Sequence, residues 1–260
     1  MKQQLKERNE QLEKELAEKN RELEIEAALE KVRVISLSMN QPQDMPEVCK
    51  TISLELQKLG VREIRNVQTA IFYPERGIYM NYEYYAKHHK TFITETSYIN
   101  HKVARAFAAK MMKGKDEFFI RHLKGKKLKE WLTYQKTTNV FIDKYLAKAC
   151  SLNYYWYSLG PVALGISTYH PLTEDEENLF KRFRNVFELA YKRYIDIEKA
   201  IAQAREALIE VALEKVRSCS LAMHKSDELR DVVKVVFEKL QELDFAIDGA
   251  AFIGTLIENS

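Results

Sequence analysis

Glycine and proline are scarce in this chain, which contains 8 glycines and 5 prolines among 260 residues. Two long segments, 1–39 and 173–223, have neither residue. Because glycine and proline interrupt helices most strongly, we expect each segment to form one long helix. At about 1.5 Å per residue, the second helix would be roughly 75 Å long and would extend beyond any small globular core.

Cysteine is equally scarce. Cys49, Cys150 and Cys219 are an odd number of residues at wide and unrelated spacings. This pattern argues against a disulfide framework and favours a reducing compartment. We therefore expect a cytoplasmic location.

Long apolar runs are absent, since no stretch of about 18 apolar residues occurs and the N-terminus is charged from Lys2 onward. We expect neither a signal peptide nor a membrane span in this chain, while a span elsewhere in a longer parent protein stays open. The net charge of +3 is close to balanced and says little about nucleic acid.

Positive charge is concentrated between Lys102 and Lys136, where aromatic residues are interspersed among the lysines. This pattern would suit single-stranded nucleic acid, an anionic ligand or a membrane surface. The alternative is a solvated helix face whose aromatic residues lie in the core. We favour that alternative and predict no nucleic-acid partner, because acidic residues elsewhere leave little net field.

The second glycine-free segment has the apolar spacing of a coiled coil. Thr173 and Glu176 form a predicted capping box at its start. Apolar residues then alternate at spacings of four and three, which is the a/d pattern. The predicted seam contains Phe183, Phe187, Ala190, Tyr194, Ile197, Ile201, Ala204, Leu208 and Val211, and we assign Tyr194, Ile197, Ile201 and Leu208 to a dimer interface.

The first segment repeats every eleven residues, a period that gives a nearly straight or slightly right-handed coil. Asparagines at seam positions fix register and strand number, so we predict a parallel homodimer, with Leu5, Leu12, Leu16 and Leu23 at its interface. The alternative is a solvated single helix with many Glu and Lys pairs. The rows are Leu5, Leu16 and Ala27; Leu12, Leu23 and Val34; and Asn9 and Asn20.

The chain contains an internal repeat, because residues 26–39 recur with high identity at 210–223. An amphipathic helix comes after both copies, and the strand pattern of Val67 to Phe72 returns at Ile247 to Phe252. A second copy that stops after its first strand cannot bury a core. We therefore expect the chain to be a piece of a longer protein.

The first copy has the pattern of an α+β domain. A helix near 45–59 precedes a predicted hairpin over 67–85, a helical region over 101–148 and two further strands over 153–168. This order predicts an antiparallel sheet flanked by helices, with long coiled-coil helices at both ends. The predicted parts are a signalling helix (1–40), the α+β domain (41–172), a connecting coiled-coil helix (173–224) and the start of a second repeat (225–260).

Two motifs carry a resemblance to a known family. The sequence from Ala163 to Phe183, with Pro171-Leu-Thr173 at its centre, resembles the last strand, turn and C-terminal helix of GAF domains. The repeated Ala-Leu-Glu-Lys-Val-Arg-x-x-Ser-Leu-x-Met is similar to the helix preceding GAF-like domains in bacterial sensor proteins, often histidine kinases of two-component systems. The resemblance implies a sensing module, usually dimeric, whose helices act on an output domain.

No catalytic or metal-binding constellation is found, so we predict no enzyme activity and leave any cofactor unknown. The cyclic-nucleotide and bilin signatures of GAF domains are absent. His88 and His89 lack an acidic or cysteine partner at ligand spacing. His224 resembles a phospho-acceptor only superficially, because the acidic residues after it do not follow directly.

Aromatic residues are the best candidates for ligand contact. Those on predicted neighbouring strands face a helical region that carries two more, and together they would suit a planar small molecule. They would equally serve as the core of the sheet. The candidates are Tyr82, Tyr84, Trp131, Tyr134, Tyr154, Trp156 and Tyr169.

Two functions therefore compete. The first is a regulatory sensor module that dimerises through its helices. It relays a change caused by a ligand or partner to an output domain that is not in this chain. The second is a scaffold or adaptor that binds another protein and has no small-molecule ligand.

Overall fold

The computed structural model describes residues 1–99, 102–114, 116–138, 141 and 144–251. Both long helices predicted from the absence of glycine and proline are present: α1 spans Lys2–Leu37 and α5 spans Glu174–Ala222. The chain divides into two compact units, Met1–Asp196 and Ile197–Ser260. Within the described residues, no helix combines the length and apolarity needed to cross a bilayer.

The first unit contains a six-stranded antiparallel sheet, which confirms the predicted α+β class. The strands have the order β3-β2-β1-β6-β5-β4. Helices complete the unit: α2 (Met45–Lys58), α3 (Lys102–Lys113) and α4 (Gly125–Gln135). The strands are β1 (Ile64–Tyr73), β2 (Ile78–Tyr85), β3 (Lys90–Ser97), β4 (Glu117–Lys124), β5 (Ser151–Ser158) and β6 (Val162–Thr168).

The two edge strands, β3 and β4, were missed by the sequence prediction, and the helical interpretation of 117–124 was wrong. Both strands are largely exposed. Edge strands carry charged residues at positions where a central strand is apolar, and β4 reads Glu-Phe-Phe-Ile-Arg-His-Leu-Lys. The alternation of apolar and polar residues that identifies a half-buried strand is therefore not visible in this sequence.

One face of the sheet is covered by α2 and by the first turns of α5. Val48, Cys49 and Ile52 of α2 are completely buried. The ring of Phe180 in α5 lies 5.9 Å from that of Tyr157 in β5. Successive residues of a strand point to opposite faces, so the other face is left to α3 and α4.

The predicted seam of α5 is divided between two environments. Tyr194 and Ile197, which the sequence assigned to a dimer interface, are only 1% and 6% exposed within a single chain. Within the first unit, the apolar spacing of α5 up to Tyr194 reflects packing on the core of that unit, where Phe183, Phe187 and Ala190 are also buried. Farther along, Ile201 and Leu208 are 52% and 57% exposed.

The second half of α1 lies beside α5 and runs in the same direction. Arg182 of α5 pairs with Glu22 and Glu26 of α1, and the Nε atom of Arg193 donates to the backbone oxygen of Met39. The earlier turns of α1 are exposed, including Leu5, Leu12, Leu16 and Leu23 at 61%, 45%, 59% and 67%.

The sequence repeat is matched by a repeat of local structure. Arg21 donates to the backbone oxygen of Leu59 at the end of α2, and Arg205 donates in the same way to Leu243 at the end of α6, which spans Leu229–Glu242. Asp44 and Glu228 occupy the same place in a capping box before these helices.

The two copies differ in the burial of the repeated helix and in the chain after it. Val48 and Ile52 of α2 are completely buried, whereas the corresponding Val232 and Val236 of α6 are only partly buried. Residues 247–251 form no strand, and Phe252, the end of the predicted strand, lies outside the described residues. The four-part division of the chain therefore stays a prediction.

Candidate ligand-binding site

A cavity of about 330 Å³ lies between the sheet and helices α3 and α4. Four of the predicted ligand residues line it: Trp131 and Tyr134 from α4, and Tyr154 and Trp156 from β5. Residues of β1, β2, α3 and β4 contribute to the rest of the lining. The structure thus brings together the predicted residues of the helical region and of β5.

The other three predicted residues lie elsewhere. Tyr82 and Tyr84 point to the opposite face of the sheet, where the Tyr84 hydroxyl lies 3.2 Å from Nδ1 of His89. Tyr169 is buried in an apolar cluster below the ammonium group of Lys87 and does not line the cavity. The sequence of β2 does not specify which tyrosines face the cavity, because tyrosines occur on both of its faces.

The floor of the cavity is polar, and its residues were missed by the sequence analysis. Arg65, Gln68, Asn81 and Glu83 all line it and are all at least nine-tenths buried. Polar residues within two central strands were the available signal, because such strands are normally apolar on both buried faces.

Glu83 is the buried acid of this floor. Its Oε1 atom accepts hydrogen bonds from Nδ2 of Asn66 at 2.9 Å and from the hydroxyl of Tyr85 at 3.0 Å. The guanidinium of Arg65 lies 5.0 Å from the centre of the Tyr85 ring. Burial raises the pKa of Glu83, while the charge of Arg65 and the two hydrogen bonds oppose the rise.

The walls of the cavity are aromatic. Nε1 of Trp131 donates to the hydroxyl of Tyr154 at 3.0 Å, and the rings of Phe107 and Trp156 are 4.9 Å apart. Trp156 lies flat against Gly165 of β6, where a Cβ atom would fall 2.6 Å from the indole ring. Glycine at this position therefore lets Trp156 take its place in the wall.

Two cationic side chains stand at the mouth. The ammonium of Lys110 lies 4.3 Å from the centre of the Phe119 ring, and the guanidinium of Arg121 lies 5.4 Å from the Trp131 ring. Both Lys110 and Arg121 are exposed. The cavity is therefore aromatic along its walls, polar at its floor and positively charged at its opening.

A second polar cluster lies on the opposite face of β2. The Tyr194 hydroxyl of α5 lies 2.7 Å from the hydroxyl of Tyr73 and 2.9 Å from that of Tyr82. Sγ of Cys49 donates to the backbone oxygen of Tyr82 at 3.4 Å. This tyrosine cluster (Tyr73, Tyr82 and Tyr194) ties α5 to the two strands that carry the cavity floor.

A metal site, and reactivity of the buried Cys49 thiol, have little support in the described part of the chain. There, no group of three His, Cys, Asp or Glu side chains is placed to hold a metal ion. Burial raises the pKa of the Cys49 thiol to about 12, which leaves it protonated and unreactive.

The raised pKa of Glu83 predicts a pH-dependent effect of the variant Glu83→Gln. Above pH 4.5 the unfolded chain releases this proton before the folded chain does, so wild-type stability falls as pH rises through that window. The unfolding free energy of the variant minus that of the wild type should therefore increase with pH. Urea unfolding from pH 4.5 to neutral pH, followed by tryptophan fluorescence, measures the difference.

The control is Glu117→Gln, which removes a carboxylate from an exposed part of β4. A Glu83→Gln difference that stays flat or decreases with rising pH would contradict the burial of an acid in the cavity floor.

Comparison with protein-family models finds no match for this chain, and comparison with curated proteins finds none either. The function of the chain is therefore inferred from the geometry of the cavity and of the helices around it.

Proposed function

We propose that this chain is a regulatory sensor module of a cytoplasmic signal-transduction protein, in which a small molecule bound in the cavity alters helix α5. The observation that carries the proposal is the double role of β2. Asn81 and Glu83 face the cavity. Tyr82, which lies between them, forms a hydrogen bond through its hydroxyl with the hydroxyl of Tyr194 in α5. In this proposal the chain itself catalyses no reaction.

Strand β2 provides the first route from the cavity to the helix. A ligand that pulls on Asn81 or Glu83 shifts the backbone of β2, and this moves Tyr82 on the opposite face. The tyrosine cluster is a hydrogen-bonded contact of short, well-defined distances. A small displacement is therefore transmitted to α5 as a change in hydrogen bonding.

Strand β4 provides a second route. Arg184 of α5 pairs with Asp116 just before β4, and with Glu188 on its own helix. Phe119 and Arg121 of the same strand line the cavity. Strand β2 and the residue before β4 are therefore both attached to the part of α5 that belongs to the first unit.

The exposed leucines of α1 support self-association as part of the proposal. Large apolar side chains at an eleven-residue spacing are otherwise left in solvent on a helix of 36 residues. A parallel dimer through these rows would place two copies of the first unit side by side. The GAF resemblance supports the same arrangement, in which the helices act on an output domain.

Ligand occupancy distinguishes the sensor from the scaffold. Native mass spectrometry of the purified chain should show a bound small molecule. Ala104→Leu should abolish its retention, because Ala104 is buried and lines the cavity. Ala109→Leu, an exposed position on the same helix, should retain the molecule. A wild-type chain without any bound molecule would favour the scaffold.

The relay is tested by Tyr194→Phe, which removes the central hydroxyl of the tyrosine cluster. Removing the bound molecule from the wild type should accelerate amide exchange in residues 183–196. A hydrogen bond contributes about 1 kcal/mol, so an acceleration of roughly fivefold is expected. In the variant, exchange should be fast with and without the molecule.

Tyr157→Phe is the matched control for this variant, because Tyr157 packs on α5 through its ring. An α5 whose exchange does not depend on occupancy in the wild type would exclude the relay.

Self-association is tested by Leu16→Asp, since Leu16 is exposed in one chain and belongs to an eleven-residue row. Sedimentation should show a dimer for the wild type and a dissociation constant weakened by roughly 100-fold or more for the variant, because each chain loses a buried leucine. Gln11→Asp, outside the rows, should leave the dimer intact. A wild-type monomer at high concentration would rule out this part of the proposal.

A further inference from the structure

Two buried acceptors in the cavity have no hydrogen-bond partner among the described residues. Glu83 and Gln135 are 1% and 4% exposed, and both line the cavity. The unpaired atoms are Oε2 of Glu83 and Oε1 of Gln135. Because a buried acceptor without a partner destabilises a fold, their position indicates a bound group that donates hydrogen bonds.

Of the two side chains, Glu83 is the stronger evidence for a ligand that donates hydrogen bonds. The amide of Gln135 lies beside Tyr154, with 3.5 Å between Nε2 and the phenol oxygen, and half a turn of this amide exchanges its oxygen and nitrogen. An ionised carboxylate only accepts hydrogen bonds. Burial raises the pKa of Glu83, while the charge of Arg65 and the hydrogen bonds on Oε1 oppose the rise. A group that donates to Oε2 would also oppose it and would favour the ionised, acceptor-only form.

The aromatic rings of the cavity walls favour a planar ligand. The rings of Trp131 and Tyr154 meet at 80° with 5.9 Å between their centres, and Phe107 and Trp156 form the neighbouring wall. Aromatic side chains in such arrangements bind planar rings by stacking and edge contacts. A volume of about 330 Å³ is at the small end for ligand cavities, which suits one or two rings.

The charges around the cavity exclude a cationic ligand. Aromatic cages commonly bind ammonium groups, but here Arg65 is buried at the floor and Lys110 and Arg121 stand at the mouth. These three positive charges repel a cation, while Glu83 supplies one negative charge. The hydrogen-bond donors must therefore belong to an uncharged group.

We infer that the cavity binds an amino-substituted nitrogen heterocycle of one or two rings, whose uncharged edge donates N–H hydrogen bonds to Glu83 and Gln135. The inference rests on the proposed ligand-sensing function and adds the chemical class of the ligand. The aromatic side chains of the walls pack against the ring, and the polar side chains of the floor accept hydrogen bonds from its N–H edge. The positively charged mouth accommodates an acidic substituent at the opposite edge.

Pterin and lumazine are suitable probes for this donor edge. They share the same two fused rings, and lumazine carries a carbonyl where pterin carries the amino group. Titration calorimetry with the full chain, freed of any bound molecule, should give pterin an affinity at least tenfold higher than that of lumazine, because a carbonyl would face the Oε2 atom of Glu83.

Glu83→Gln tests the direction of the hydrogen bond with a side chain of the same shape. Asn66 and Tyr85 hold the Oε1 atom, so the new amide N–H₂ would point at the ligand and oppose its donors. Pterin affinity should fall at least tenfold, while lumazine affinity should not fall. If this variant does not fold, Gln135→Leu should still weaken pterin binding several-fold.

Several results would overturn the inference. These are equal affinities for pterin and lumazine, a pterin affinity unchanged in both variants, and no binding of either probe at millimolar concentration. A co-purified molecule without N–H donors would also overturn it and would leave the sensor function standing. Donor-selective binding with no change in α5 exchange would support the inference and contradict the relay.

Discussion

The alternation of side chains along strand β2 is the constraint on which the rest of the structure depends. A strand cannot move one face without moving the other, and β2 places Asn81 and Glu83 on one side and Tyr82 on the other. The cavity and helix α5 are separated by the full thickness of the sheet. They nevertheless share a backbone, and this shared backbone makes a relay physically reasonable.

The cavity floor is built at the expense of stability. A buried carboxylate beside a buried guanidinium contributes little to folding, because desolvation offsets most of their attraction. An apolar pair would fill the same space without unpaired atoms. Glu83 and Arg65 are therefore better explained by binding than by packing. Functional sites are the places where proteins retain such unfavourable groups.

Sequence reasoning predicted the elements whose signals are local. The absence of glycine and proline predicted α1 and α5, and the repeat of 26–39 at 210–223 predicted matching local structures. Edge strand β4 was read as helix because its charges obscure the alternation. The spacing of Phe183 to Tyr194 was read as a dimer seam because a helix packed on its own core has the same periodicity.

The candidate site was predicted in part, for a related reason. Trp131, Tyr134, Tyr154 and Trp156 were identified by their aromatic character, and the structure places all four in the cavity wall. The face to which a strand residue points depends on register, which the sequence of β2 does not specify when both faces carry tyrosines. The polar floor was missed because polar residues that alternate along an antiparallel strand usually indicate a solvent-exposed face.

The link between the two faces of β2 is tested most directly by a double-mutant cycle of Glu83→Gln and Tyr194→Phe, with unfolding free energies measured by tryptophan fluorescence. The two side chains lie on opposite faces of the sheet, so unlinked sites would give additive effects within about 0.5 kcal/mol. The proposed relay predicts a coupling free energy of about 1 kcal/mol or more. Additive effects would show that the cavity floor and the tyrosine cluster are independent, which would contradict the central claim.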